Sequence, residues 1–268
     1  MHILAITAHP DDPEVHCGGT CLQWVDQGHE VVWLTCTTGD TGHHQIGGIQ
    51  LARRRFAEAQ AAARVGGIHE YRILDNHTGE LEATVANRRT IIRIMREVDP
   101  DLVLTHRPND YHPDHRYTSQ LVMDASFIVT VPNMVALTDV PSRAPPIYYL
   151  YDKFRRPYPF AADAVVAIDD EIDRKFQMLD CHESQMYEWV PFNQGVLDQV
   201  PADRGRRLEW LRGRRLPLFA HIADTFRDKL IQRYGEKRGA AVKYAEAFEA
   251  CEYGGAPDQQ ILRRLFPN

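Results

Sequence analysis

A mostly parallel α/β sheet with helices on both faces is the fold this sequence predicts, on two observations. Short apolar runs alternate with segments whose apolar residues recur at three-to-four spacing, and glycines or a proline fall where the helical segments end. Strand, helix, strand, repeated, brings right-handed crossovers, so successive strands lie parallel and helices cover both faces. The 268 residues, 44% hydrophobic and 25% charged, fit one large α/β domain or two small ones, with a sizeable core available.

The elements follow in order. A first strand is expected over His2 to Thr7, then a polar loop and a helix over Gly18 to Gln27, closed by Gly28. Glu30 to Cys36 reads as the second strand, and Ile49 to Val65 as a helix stopped by Gly66-Gly67. The third strand, Glu70 to Leu74, precedes a helix over Val85 to Val98 that ends before Pro100. Asp101 to Thr105 is the fourth strand, with a helix over His115 to Ile128. Strands at Ile147 to Tyr151 and Ala164 to Ile168 precede a helix over Asp170 to Tyr187. From about Val190 the pattern dissolves into Pro191-Phe192-Asn193-Gln194-Gly195, then recovers as two or three helices ending near Glu252. The expected organisation is a Rossmann-like catalytic core over 1–190 and a helical C-terminal extension over 191–268, packed on the same domain.

Charge and composition narrow the partners. A net charge of −6 with a pI near 6.1 gives no global attraction to nucleic acid or an anionic membrane. No apolar run approaches the length of a membrane span, and no basic leader precedes the first strand. The expectation is a cytoplasmic protein acting on a small molecule, with a homo-oligomer left open. Five cysteines without a CxxC argue against a disulfide framework. Cys17 and Cys21, four apart, read first as buried hydrophobes and only second as a soft metal site.

The chemistry concentrates at the ends of two strands. The first delivers Ala8-His9-Pro10-Asp11-Asp12-Pro13-Glu14, and the fourth delivers His106-Arg107-Pro108-Asn109-Asp110-Tyr111-His112-Pro113-Asp114-His115. Singly, each could be a capped turn, since Asp favours N-caps and Pro favours turns. Both leave strands on one edge of the sheet, where open α/β folds place their sites. With strands one and four adjacent, His9, Asp12 and His115 converge as two imidazoles and a carboxylate, a catalytic zinc set with a position open for water. Asp11 is then placed as general base, and His112 to stabilise an oxyanion or protonate a leaving amine. Asp114 is placed to hold His112 in the needed tautomer.

Three further stretches bear on the site. Thr37-Thr38-Gly39-Asp40-Thr41-Gly42 could line it, but the chain has neither a Walker Lys-Ser/Thr nor a GxGxxG fingerprint, so a Rossmann-like layout need not mean a dinucleotide. In Arg53-Arg54-Arg55, otherwise a solvated helix face, Arg55 and Glu58 stand three apart and can point together toward a sugar. They and Glu14 are the candidate substrate contacts. The six arginines between Arg204 and Arg215 read first as surface or oligomer contact and second as a ligand patch.

Taken together, His9-Pro10-Asp11-Asp12-x-Glu14 with Cys17-Gly18-Gly19-Thr20, Thr38-Gly39-x-x-Gly42, Arg55-x-x-Glu58-Ala59 and His112-Pro113-Asp114-His115 resemble the LmbE-like, or PIG-L, family of zinc-dependent N-acetylglucosamine deacetylases. The likeness runs in order through Lys175 and His182-x-Ser184-Gln185, over about 190 residues. It implies a Rossmann-like fold and removal of an N-acetyl group from an amino sugar or its conjugate. It also implies His9, Asp12 and His115 as metal ligands, Asp11 as base, His112 with Asp114 at the oxyanion, and Arg55 at the substrate. One Zn2+ per chain is expected, with Fe2+ or another divalent ion as the alternative. Where many members carry Asp-Gly after the third strand, this chain has Thr78-Gly79. Two other functions share parts of the pattern. A non-haem iron(II) oxygenase uses the same ligand types, and a non-catalytic metal-stabilised module would result if Glu14 filled the water position.

Overall fold

The computed structural model describes residues 1–255 and 264–267. Its centre is a seven-stranded sheet in the order β3-β2-β1-β4-β5-β7-β6. The strands are β1 (His2–Thr7), β2 (Glu30–Thr37), β3 (Glu70–Asn76), β4 (Leu102–Thr105), β5 (Pro146–Leu150), β6 (Ala164–Ala167) and β7 (Ala245–Gly254). β1 pairs in parallel with β2 on one side and β4 on the other, with Ile6 opposite Thr105. That is the adjacency the two motifs require, at the point where strand order reverses.

Helices α1 (Asp12–Asp26), α2 (Gly48–Gly66), α3 (Val85–Val98), α4 (Pro113–Ile128) and α5 (Ile172–Asp180) follow the expected sequence. Alternate strand residues face opposite layers. Ile3, Val31, Trp33 and Leu104 pack with Leu22, Trp24, Ala59, Ala62 and Met178 of α1, α2 and α5. Leu4, Ile6, Leu34 and Val103 pack with Ile91, Ile92, Met95, Leu121 and Val122 of α3 and α4. Cys17 and Cys21 are free and buried in the first layer.

Three elements differ from expectation. α1 begins at Asp12, six residues before Gly18, because the chain turns sharply at Asp11 (φ 130°) and Pro13 occupies the first helical turn. The helix expected to continue to Tyr187 stops at Asp180 and resumes as a π-helix, Ser184–Trp189. The C-terminal part contains α6 (Val190–Asn193), α7 (Arg204–Thr225), α8 (Arg227–Tyr234) and α9 (Glu236–Ala241), then the strand β7 in place of a helix ending near Glu252. β7 runs antiparallel between β5 and β6. It also reaches α1: Glu246 accepts from the backbone N–H groups of Gly19 and Thr20 at 2.9 and 2.7 Å. Lys175 pairs with Glu246 at 2.6 Å and donates to the Glu14 and Val15 carbonyls. This buried pair packs against α1 at two glycines: a Cβ on Gly19 would sit 3.2 Å from Glu246 Oε1, and one on Gly18 3.7 Å from Lys175.

Candidate metal centre and active site

The loop after β1 and the start of α4 bring three ligand atoms into a triangle. His9 Nδ1 lies 3.2 Å from His115 Nε2 and 3.5 Å from Asp12 Oδ2, and the last edge, His115 to Asp12, is 3.6 Å. Ligand atoms about 2.0 Å from a tetrahedral zinc ion sit about 3.3 Å apart, so these residues fit a small divalent ion.

Each imidazole is oriented from behind. His9 Nε2 is 2.9 Å from Asp114 Oδ2, which fixes the proton on Nε2 and leaves the Nδ1 lone pair inside the triangle. Asp114 is fully buried and also accepts from the backbone N–H groups of Gly79 (2.7 Å) and Leu81 (3.3 Å). Burial alone would raise its carboxyl, but the His9 and Gly79 donors hold it below the usual range. Backbone amides supply these bonds, so Thr78 in place of an acidic residue leaves the centre intact. Asp110 faces His115 at ion-pair distance, its Oδ2 3.2 Å from Nδ1, without the hydrogen-bond geometry that holds His9. His106 stacks on His115 at 4.0 Å, nearly parallel.

The expected Asp114–His112 pair is corrected by these distances. Asp114 is 3.8 Å from His112 Nδ1 and closer to His9. His112 instead caps α4, its Nδ1 accepting the Asp114 backbone N–H at 3.2 Å, which leaves Nε2–H as the free donor. Burial, with His9 and His115 nearby, pulls the His112 pKa to about 4, so it is neutral near pH 7.

Asp11 stands beside the triangle in a backbone conformation that costs about 1–3 kcal/mol for a non-glycine residue. Its carboxylate meets Arg55 at 2.7 Å, and its N–H donates to the Tyr71 hydroxyl at 3.2 Å. Burial pushes the carboxyl up while Arg55 opposes it, and the net shift is upward. Arg55 also donates to the Pro10 and Gly39 carbonyls. It can lie there because Gly39 has no side chain: a Cβ would meet its guanidinium at 2.5 Å.

Two substrate expectations fail geometrically. Glu58 does not share Arg55's direction; it accepts from the Ser184 backbone N–H (2.9 Å) and hydroxyl (2.6 Å) and pairs with Arg54. Glu14, carried inward by the early start of α1, is 0% exposed and bonded to His182 at 2.8 Å. Neither lines the cavity, of about 500 Å³, that opens over the triangle. Arg55 does line it, with its guanidinium already engaged. Thr41 and Gly42 of the glycine-rich loop line it too, with Gln185 and Trp189 of the π-helix.

With this geometry in place, comparison with known proteins is decisive. Residues 4–126 match PIG-L, described as GlcNAc-PI de-N-acetylase. A diacetylchitobiose deacetylase of Thermococcus kodakarensis is 32% identical over 206 residues, 71% of this chain and 74% of that protein. The chain belongs to the PIG-L family. Among solved structures, an N,N'-diacetylchitobiose deacetylase from Pyrococcus horikoshii superposes on this PIG-L chain with a TM-score of 0.71 at 24% identity, covering 93% of this chain and 83% of that one. A 4-carboxy-2-hydroxymuconate hydratase from Pseudomonas putida gives the same TM-score, 0.71, at 18% identity, covering 96% and 98%. Likeness at that level shows the PIG-L fold and leaves the reaction to the site.

Sequence reasoning missed Asp110 and Tyr71. Asp110 stands in the His106–His115 run as a carboxylate near two histidines, and Tyr71 reaches the site from a strand that carries no motif; Arg215 was read within the arginine cluster, where a ligand patch was the second reading. The arginine cluster divides. Arg204 and Arg207 pair with Glu183, Arg212 with Asp173, and Arg214 bonds Gln194 and covers Trp210. Arg215 faces the cavity.

Proposed function

We propose that this protein removes an N-acetyl group from an N-acetylglucosamine-like amino sugar or its conjugate by metal-assisted amide hydrolysis, with zinc as the ion, in the cytoplasm. The observation that carries this reading is the ligand triangle with a carboxylate of raised pKa at its side. His9, Asp12 and His115 would hold the ion. When bound, it supplies Lewis-acid polarisation of the acetamide carbonyl and a lowered pKa for water.

Asp11 accepts the proton of the attacking water on the oxygen not committed to Arg55, and returns it to the departing amine. Its upward shift suits the first step, since a more basic carboxylate takes the proton of water more readily. His112 donates from Nε2 to the oxyanion. The products are acetate and a free amine, so every proton is accounted for. Glu14, engaged by His182, leaves the ligand set open for water, which speaks against a closed structural site. The relatives named above speak for a deacetylase and not for an iron oxygenase.

The test is metal analysis of purified protein together with acetate release from a panel of N-acetylated amino sugars and their glycosides. One ion per chain and acetate from at least one compound are expected. His9→Ala and His115→Ala should fold and lose metal. Full metal in both variants would remove the proposed ligand set, and a loaded enzyme releasing no acetate would remove the reaction.

A further inference from the structure

The inner face of α7 closes the cavity opposite the metal triangle. Arg215, Leu218, Phe219 and Ile222 line it, spaced three, four and seven apart so that they form one stripe along the helix. Three of the four present only carbon. Arg215 is the exception, and its one hydrogen-bond contact among the described residues is the Met186 sulfur at 3.7 Å.

Every carboxylate lining the cavity already has a partner. Asp11 has Arg55, Asp12 belongs to the ligand triangle, Asp110 faces His115, and Asp152 is held by Arg107 at 2.9 Å. No acid lies within ion-pairing distance of Arg215 among the described residues. Burial lowers its pKa, with Asp11 and Tyr111 the groups that partly offset the cost. A guanidinium nevertheless keeps its charge. Half-buried on a largely apolar wall, this guanidinium has no acidic partner among the described residues and stays available to an anion that enters the cavity, and its planar fork matches carboxylate or phosphate.

We infer that Arg215 is an anion receptor that selects amino-sugar conjugates whose aglycone carries a carboxylate or phosphate. This rests on the deacetylase reading for the sugar end of the substrate, while the anion contact belongs to α7 alone. Arg55, by contrast, already carries a carboxylate, Asp11, along with the Pro10 and Gly39 carbonyls.

Three N-acetylglucosaminides test it: a carboxymethyl glycoside, its neutral methyl ester, and a 2-phosphoethyl glycoside. Calorimetric affinity and kcat/KM for acetate release are measured on the metal-loaded enzyme. The acidic glycosides should bind and react about ten- to a hundredfold better than the ester, the range for a hydrogen bond to a charged group. Arg215→Met should bring that ratio close to one, and Arg215→Lys should retain part of it. The two acidic arms show whether carboxylate or phosphate is preferred. A ratio near one in the wild type, the same ratio in Arg215→Met, or no binding of any glycoside overturns the receptor. A merely structural arginine would lower all three compounds together and leave the ratio standing. Arg215-dependent binding without acetate release sinks the deacetylase reading and keeps the receptor; equal release from all three does the reverse.

Discussion

On the side of the cavity built from the ends of β1 and β4, His9 is held from behind by Asp114 and Asp11 by Arg55 and Tyr71, with Asp110 facing His115. On the side built from α7, Arg215 has among the described residues only a thioether as hydrogen-bond partner, and its neighbours in the stripe are apolar. One side is braced by its own partners before substrate arrives, and the other leaves a contact to be made. The contrast separates two demands. Reacting groups must hold their geometry to within a fraction of an ångström, whereas a selecting group gains most when the ligand is what completes it.

The contrast breaks first at Asp11. Asp11→Asn keeps the shape and the Arg55 contact but cannot accept a proton, so kcat should fall about 10²- to 10⁴-fold with metal retained; an active variant, or one stripped of metal, removes the assignment. Arg55→Met probes the support behind it. Because the guanidinium holds Asp11, kcat should drop on the order of 10²-fold for a bare acetamide as well as for a sugar, and a loss confined to the sugar would return Arg55 to substrate binding. Asp114→Asn frees the His9 ring and should weaken metal affinity about 10- to 100-fold. Unaltered affinity by chelator competition would mean that His9 needs no holder.

The smallest effect is in pH. In the metal-free site burial works against a charged His9, but its bonds to Asp114 and Asp12 outweigh this and raise its pKa from 6.5 to about 9. A raised folded value stabilises the protonated form, so the contribution of His9 to metal-free stability is complete below pH 6.5 and lost as pH rises to about 9. Metal must displace that proton. Apparent affinity should therefore climb about tenfold per pH unit toward pH 9 and then level, while the Tm of the metal-free chain falls over the same interval. Calorimetry in two buffers of different ionisation enthalpy counts the proton, and no release at pH 7.5 would contradict the His9–Asp114 arrangement.

The ligand set was legible because it lies in two motifs, each leaving a strand whose apolar run marks where the loop begins. The roles behind it were less so. Asp114 adjoins His112 and His115 in sequence, yet the helix it enters turns its carboxylate toward His9. Glu58 follows Arg55 by three residues, but Ser184, from a segment 126 residues away, takes both its oxygens. β7 was hidden by local preference. Glu246, Glu249 and Glu252 recur every third residue among alanines, as on a helix, and tertiary partners override that rhythm: Glu246 is buried against Lys175 and Glu249 accepts from Ala161.

The Glu246 contact also fixes an order of assembly. The helix that carries Asp12 leans on a carboxylate 226 residues further along the chain, on a strand that must slip between two earlier neighbours. Lys175 is made before Glu246, and without Glu246 a buried ammonium would have no counter-charge. Maturation of the site therefore waits for β7, and a chain lacking that strand, though it carries every ligand and the base, would lack the piece that locks them in place.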